Sequence, residues 1–507
     1  MLYTILMKDL GKYGIFVLCI LGAITRMFYG YAHEPWIHAP DQLAWEMVIE
    51  QGDLSYCQLI HYPHEGGSIL FSLFSQLLEL FTSFSSLTIS AFLADFVVRF
   101  VQINVVKKLF NNRVAILFGI WTIFASPVII PWGTLNFGLH SVSSVFPFIF
   151  LLMLFKKEQT IKYQLLSGSF LGLAFWFSYS NVILIPAFIL YNLIGKKKFS
   201  HWGYVLISLT IVLILHILTR NVMDPGFHLN EFSFNSIRGE VFSINEINFW
   251  DRLSNLPKVI VNSFIVLPYA DQFSGVIKSA FSLSCLVSAI GLFLMIKKKK
   301  LRKKHSILLL LILLFIISYT LSPFFVEQEV EQETGNHVTF RHLTYIIPLV
   351  SLAIIVGLSY LKNNLVLIPF LLLGVLQSNR LFQMEKTPQN HVTTKASGWV
   401  LATKLGHDTE LINSIIKDNY KKSNLLIQGV GWGTSTALMK DNQTLSKLET
   451  KNKVDELVDL IAQYPNSYQK DLLIGIEFSF SDQVTPRLDK NILPMIEDGL
   501  KKRYTIE

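Results

Sequence analysis

Charge is scarce in this sequence. Asp, Glu, Lys and Arg make up 16% of its 507 residues, while 51% are hydrophobic. Soluble globular chains carry about 25% charged residues, so this balance excludes one large soluble domain and points to a polytopic membrane protein. Cysteine is scarcer still, at three residues. Cys19 and Cys285 lie in apolar runs and Cys57 stands alone in a loop, which excludes a disulfide framework and a thiolate zinc site. There is no internal repeat, and no low-complexity tract beyond short Lys runs. No small-residue cleavage site closes the first apolar run, Tyr13 to Gly30 behind Lys8 and Lys12, so it reads as an uncleaved signal anchor. The net charge of +8 sits in Lys clusters between apolar runs, where it reports loop topology rather than nucleic-acid binding.

A bilayer-crossing helix needs roughly 17–25 residues. Apolar runs approaching that length lie at 13–30, 66–84, 86–106, 113–131, 139–155, 162–180, 181–194, 202–219, 276–296, 305–323, 342–360 and 364–378. Basic loops hold Lys107, Lys108 and Arg113; Lys156, Lys157 and Lys162; Lys196 to Lys198; Lys297 to Lys304; and Lys362. Loops 31–65, 132–138, 220–275 and 324–340 are acidic or neutral. Short basic loops stay cytoplasmic, and all of these do so only if 66–84 lies at the interface or re-enters. Ser68, Ser72, Ser75, Gln76 and Glu79 interrupt that run, as in an amphipathic or re-entrant helix. The resulting expectation is an α-helical protein of about 11 spans, with a cytoplasmic N-terminus and a first outer loop from Tyr31 to Leu87.

Residues 1–379 thus read as a transmembrane domain and 380–507 as a small outer-face domain, since no spanning run follows Arg380. Within the second, "KSNLLIQGVGWGTS" (422–435) reads as a strand and a turn, and "KDLLIGIEFSF" (470–480) as another strand. Helical patterns at 396–417, 452–463 and 491–502 flank them, so the expectation is an α/β domain. Gly429 to Thr434 lack the glycine spacing of a dinucleotide fingerprint.

The stretch from Tyr31 to Glu65 lacks Lys and Arg but holds Glu34, Asp41, Glu46, Glu50, Asp53 and Glu65, with His33, His38, His61 and His64. "DQLAWEMVIEQGD" (41–53) reads as a short helix: Pro40 suits its first turn and Asp41 its positive dipole end. Asp41, Ala44 and Trp45 share one helical face; Glu46 and Glu50 share another. A carboxylate about ten residues beyond the first span lies near the membrane surface, where partial desolvation raises its pKa into the range of a general base. A solvated acidic loop obeying the topology rule is the alternative. His61, His64 and Glu65 in "HYPHEGG" could join Asp41 around a divalent metal, although the spacing matches no zinc motif.

This layout resembles the GT-C superfamily of membrane glycosyltransferases, which includes the protein O-mannosyltransferases and the lipid A aminoarabinose transferases. The likeness rests on the signal anchor, the acidic residue soon after it, the Gly52-Asp53 pair ending that helix, and "HYPHEGGSILFSLF" leading into a juxtamembrane helix. Asp41 is followed by Gln42, where many members have a second acidic residue. The resemblance implies an inverting transfer of a sugar from a polyprenyl-phosphate donor to a glycan, lipid or protein acceptor on the outer face. It implies that Asp41 is the catalytic base, or a metal ligand, with Glu46, His61, His64 and Glu65 in support. It implies residence in a membrane, here a bacterial inner membrane, and no nucleic-acid partner. No cofactor is required beyond that open metal question.

A lipid phosphate at the outer interface needs cations, and Arg341, His342, Arg220, Arg238 and Arg252 are the outer-face candidates, the first four as its binding residues. Trp36, Trp45, Tyr62 and Trp132 could stack on a sugar ring. Asp95 and Arg99 lie four apart within an apolar span, where isolated charges cost roughly 2.5–3.5 kcal/mol each, so they are expected to pair with each other; the alternative has Arg99 facing the catalytic cavity or Asp95 orienting a first-loop residue. Two rival readings stay open: a transporter or flippase of a lipid-linked sugar working through Asp95 and Arg99, and a non-catalytic assembly subunit.

Overall fold

The computed structural model describes residues 2–33, 66–81, 86–123, 129–132, 140–156, 160–195, 202–223, 274–298, 303–321, 345–361, 366–383, 390–405, 408–419, 423–439, 447–480 and 492–503, with individual residues between 44 and 51, between 250 and 264, and at 343. Among these residues all regular structure is helical. The chain divides into two compact units.

The first unit takes residues 1–33, 63–71 and 87–384. Its helices are α1 (Leu2–His33), α2 (Gly66–Glu79, whose second half belongs to the other unit), α3 (Ser86–Leu109), α4 (Asn112–Ile123), α5 (Phe146–Leu154), α6 (Ile161–Phe177), α7 (Leu184–Ile194), α8 (Gly203–Met223), α9 (Ser274–Lys297), α10 (Lys303–Leu321), α11 (Ile346–Tyr360) and α12 (Leu367–Gln383). Where the apolar runs read from the sequence are described, their regular structure is helical. Helix α11 is apolar all round and buried almost end to end, as a central helix must be. Trp121 ties α4 to it: the ring stacks on Phe370 of α12 at 4.1 Å, and Nε1 donates to Ser351 Oγ at 2.8 Å. Helices α9 and α11 touch backbone to backbone where Gly291 meets Gly357, close packing typical of membrane helices.

The outside of this unit is apolar. Ile207, Ile211, Ile214, Leu215 and Leu218 of α8, and Leu283, Leu286, Ile290 and Phe293 of α9, are all exposed. Stripes of that size do not face water, but they suit lipid, so this unit is an integral membrane domain. Among the described residues three helices are long and apolar enough to cross a membrane: Ile89–Leu109, Ser279–Lys297 and Lys303–Thr320. The other apolar helices are shorter, at 10–17 residues. The Lys-bearing ends of α3 and α10 meet, with Lys304 Nζ donating to the Leu109 carbonyl and lying 5.0 Å over the Phe110 ring.

The second unit takes residues 34–62, 72–86 and 385–507. Its described helices are α13 (Asn390–Leu405), α14 (Thr409–Asp418), α15 (Ser423–Met439), α16 (Lys447–Ala462), α17 (Gln469–Ser479) and α18 (Leu493–Arg503). The helical patterns read at 396–417, 452–463 and 491–502 are these helices. The two strands are corrected: 422–435 lies almost wholly on α15 and 470–480 on α17. The α/β expectation therefore gives way to a helical unit among the described residues. The physical reason is the glycines. A Cβ on Gly429 or Gly433 would strike the backbone of α13 at Lys395 or Trp399, and one on Gly431 would strike α17 at Leu472. Alternation that looks like a strand's period of two instead clears both sides of a helix held between two others.

Candidate functional site

The described residues bring one predicted pair together inside the membrane unit. Asp95 and Arg99 lie one turn apart on α3 and are 3% and 4% exposed. Arg99 Nη2 and Nε reach Asp95 Oδ1 at 2.9 and 3.0 Å. Arg26 of α1, completely buried, approaches the other carboxylate oxygen, Oδ2, with its Nε at 3.1 Å, an ion contact off the line of a hydrogen bond. Its Nη1 donates to the carbonyls of Gly22 and Ile123 and its Nη2 to that of Thr122, at 3.3, 3.1 and 2.6 Å. The last two carbonyls end α4, where a helix has acceptors without partners and a cation is favoured.

The network extends beyond what the sequence indicated. Arg99 Nη1 donates to Gln102 Oε1 at 2.7 Å, and Gln102 Nε2 donates to the Ser144 carbonyl and Oγ at 2.9 and 3.0 Å. Ser141 Oγ lies 3.4 Å from both Arg99 Nη2 and Asp95 Oδ1. Gln102, three residues from Arg99 on α3, was the available signal; the serines of 141–144 carried none. With Asp95 held between both guanidiniums and Arg26 reaching the last carbonyls of α4, this is a brace joining α1, α3 and the end of α4.

Around the first loop, each unit holds its own part. In the membrane unit Gly66 opens α2 directly against the Trp176 ring of α6, where a side chain would not fit, and Phe71 meets Phe177 edge-on at 6.3 Å. In the second unit Ala44, Trp45, Met47 and Val48 are helical and buried. Ala44, Met47 and Val48 join the apolar core of Leu411, Ile412, Ile415, Ile416, Leu426 and Val430. Gln51 follows: its Nε2 donates to Asp418 Oδ2 and its Oε1 accepts from Ser414 Oγ, both at 2.8 Å. Trp45, offered above as a sugar-stacking ring, is 5% exposed, so it is packed rather than presented.

Elsewhere in this unit, Lys395 Nζ lies 4.0 Å over the Phe478 ring, and burial holds that ammonium below its usual pKa. Asp41, Glu46, His61, His64, Glu65, Arg238, Arg341 and His342 lie outside the described residues. Arg220 is on the backbone of α8, with its side chain outside them. Among the described residues there is no group of three or more potential metal ligands; the four proposed ones are not among those residues.

No family model matches this sequence, and no curated protein matches it. Among solved structures the chain is similar to the crystal structure of ArnT from Cupriavidus metallidurans bound to undecaprenyl phosphate. The identity is 13%, 92% of this chain and 88% of that chain are covered, and the TM-score is 0.44.

Proposed function

We propose that the chain is a membrane glycosyltransferase of the GT-C type, moving a sugar from a polyprenyl-phosphate donor to an acceptor on the outer face of the membrane. One observation supports this reading above the bland one. The described residues of the stretch behind the first apolar helix are built into structure, with Ala44, Met47 and Val48 in a core and Gln51 fixed by two hydrogen bonds. A loop that merely kept its carboxylates in water would need no such anchorage.

In this reading Asp41 takes the proton of an acceptor hydroxyl or amine as that atom bonds to the anomeric carbon. The bond from that carbon to the phosphate oxygen breaks, and the polyprenyl phosphate leaves with the electron pair. Arg341, His342, Arg220 and Arg238 are the cations proposed to receive it, since charge-assisted bonds to phosphate are the strong ones. Glu46, His61, His64 and Glu65 support the base, or hold a divalent metal with it. The saturated bonding of Asp95 and Arg99 favours this over the transporter, which would need those charges free to exchange partners along a pathway.

Asp41→Asn keeps the shape and removes the base. It is expected to abolish release of polyprenyl phosphate from a synthetic polyprenyl-phosphoryl sugar while leaving the yield and melting temperature of the purified protein unchanged. Mass spectrometry of co-purifying lipid is expected to find a polyprenyl-phosphate sugar. Full transfer by the variant would end the assignment of Asp41.

A further inference from the structure

The C-terminal segment of the second unit, residues 385–507, supplies no residue to the chemistry just proposed, yet it packs against part of the first loop. Positions 44, 47, 48 and 51 fall at i, i+3, i+4 and i+7, a single helical face. Three of them are buried in the apolar core that the C-terminal segment builds, which includes Leu411, Ile412, Ile415, Ile416, Leu426 and Val430. The fourth is polar and matched: the Gln51 amide offers one acceptor and one donor, and α14 answers with the Ser414 hydroxyl and the Asp418 carboxylate, four residues apart on one face. Apolar contacts tolerate a slide or a rotation of the segment. The amide does not, because moving by one residue breaks both bonds and leaves Asp418 facing an apolar or acidic neighbour. Asp41 stands three residues ahead of Ala44, less than one helical turn by sequence.

We infer that the C-terminal segment of the second unit is the platform that sets the register of the first loop, with Gln51, Ser414 and Asp418 as positioning residues acting through residues 44–51. The inference rests on the reading of that loop as the chemical face. It makes the C-terminal region the support that holds the loop's acidic helix in one register, without touching the donor.

The test exploits the polarity of the amide. Gln51→Glu sets a carboxylate against Asp418 while keeping size and shape. Adding Asp418→Asn reverses the pairing, so that the new carboxylate at position 51 accepts from both Ser414 Oγ and the new amide at position 418. Hydrogen exchange of the peptide 41–53 in the full-length protein without substrate is the first readout. Exchange is expected to rise about tenfold in Gln51→Glu and to return to the wild-type rate in the double variant.

Release of polyprenyl phosphate from a synthetic polyprenyl-phosphoryl hexose is the second readout. Its kcat is expected to fall about tenfold in Gln51→Glu with KM for the donor unchanged, and to recover in the double variant. Wild-type exchange in Gln51→Glu, or failure of the double variant to restore it, overturns the platform. Exchange that rises and is restored while turnover stays constant overturns the catalytic reading of the loop and leaves the contact standing.

Discussion

A lone carboxylate between two guanidiniums, inside apolar helices, stands or falls as a set. Asp95 carries the negative charge that Arg26 and Arg99 share, and all three are nearly inaccessible. Replacing it with Asn leaves both cations without a counter-charge in a low-dielectric site, and breaking a buried pair this way costs about 3–5 kcal/mol. Asp95→Asn is therefore expected to melt far below the wild type in detergent, or to fail to accumulate. Gln102→Leu removes no charge, only a charge-assisted bond from Arg99 and neutral bonds to Ser144, so it is expected to cost about 1–3 kcal/mol. Equal melting of Asp95→Asn and the wild type would mean that the charges are free to re-pair, as a transport pathway needs. The i,i+4 spacing announced the Asp95–Arg99 pair in the sequence. Arg26 was visible only as a cation near the end of the first run, because its partners lie on helices 69 and almost 100 residues away, a separation that no local pattern encodes.

Helices in the C-terminal unit depend on what is missing from their surfaces. Glycine at 398, 429, 431, 433 and 475 lets α13, α15 and α17 approach until backbone meets backbone. A Cβ at Gly475 would run into the Gln428 carbonyl and lie 2.9 Å from the Trp432 amide nitrogen, and neither can swing aside as a side chain would. Gly475→Ala is expected to destabilise the protein by about 1–3 kcal/mol, the usual cost of overpacking. Gly499 is the control: its nearest neighbour is the Val458 Cγ2 methyl at 3.0 Å, so alanine there is expected to be neutral or slightly stabilising through its better helix propensity. Thermal melting of the two variants beside the wild type decides it, and identical melting would contradict the close packing. The same glycines misled the sequence reading. Glycine is a poor helix former and "GVGWG" alternates, so local preference pointed to a strand and a turn; tertiary packing overrode it. The amphipathic patterns at 396–417 and 452–463 were legible because their apolar spacing survives without knowledge of the partner helix.

At the scale of the whole molecule, the packing of the membrane unit bears on how its basic loops are grouped. The Lys clusters were read as marking one side of the membrane, and the end of α3, with Lys107 and Lys108, packs against the start of α10 through Lys304 and the Phe110–His305 ring contact at 5.4 Å. The basic loops at 107–113 and 297–304 thus share one end of the membrane unit. At the ends of α4 and α1 away from those loops, Arg26 meets Thr122 and Ile123. What the sequence could not supply was the affiliation of the first loop, since the partners of residues 44–51 lie more than 350 positions later. The orientation makes a prediction that chemistry can read. In a background lacking the native cysteines, Lys298→Cys follows α9 at the basic end, and Asn452→Cys lies exposed on α16 of the C-terminal unit. A maleimide that cannot cross membranes is expected to label Asn452→Cys in right-side-out vesicles and Lys298→Cys only once the vesicles are opened. The opposite pattern would place the C-terminal unit, and the residues of the first loop it holds, in the cytosol. A general base would then face the wrong compartment for an outer-leaflet donor, and the proposed reaction would have no site on this chain.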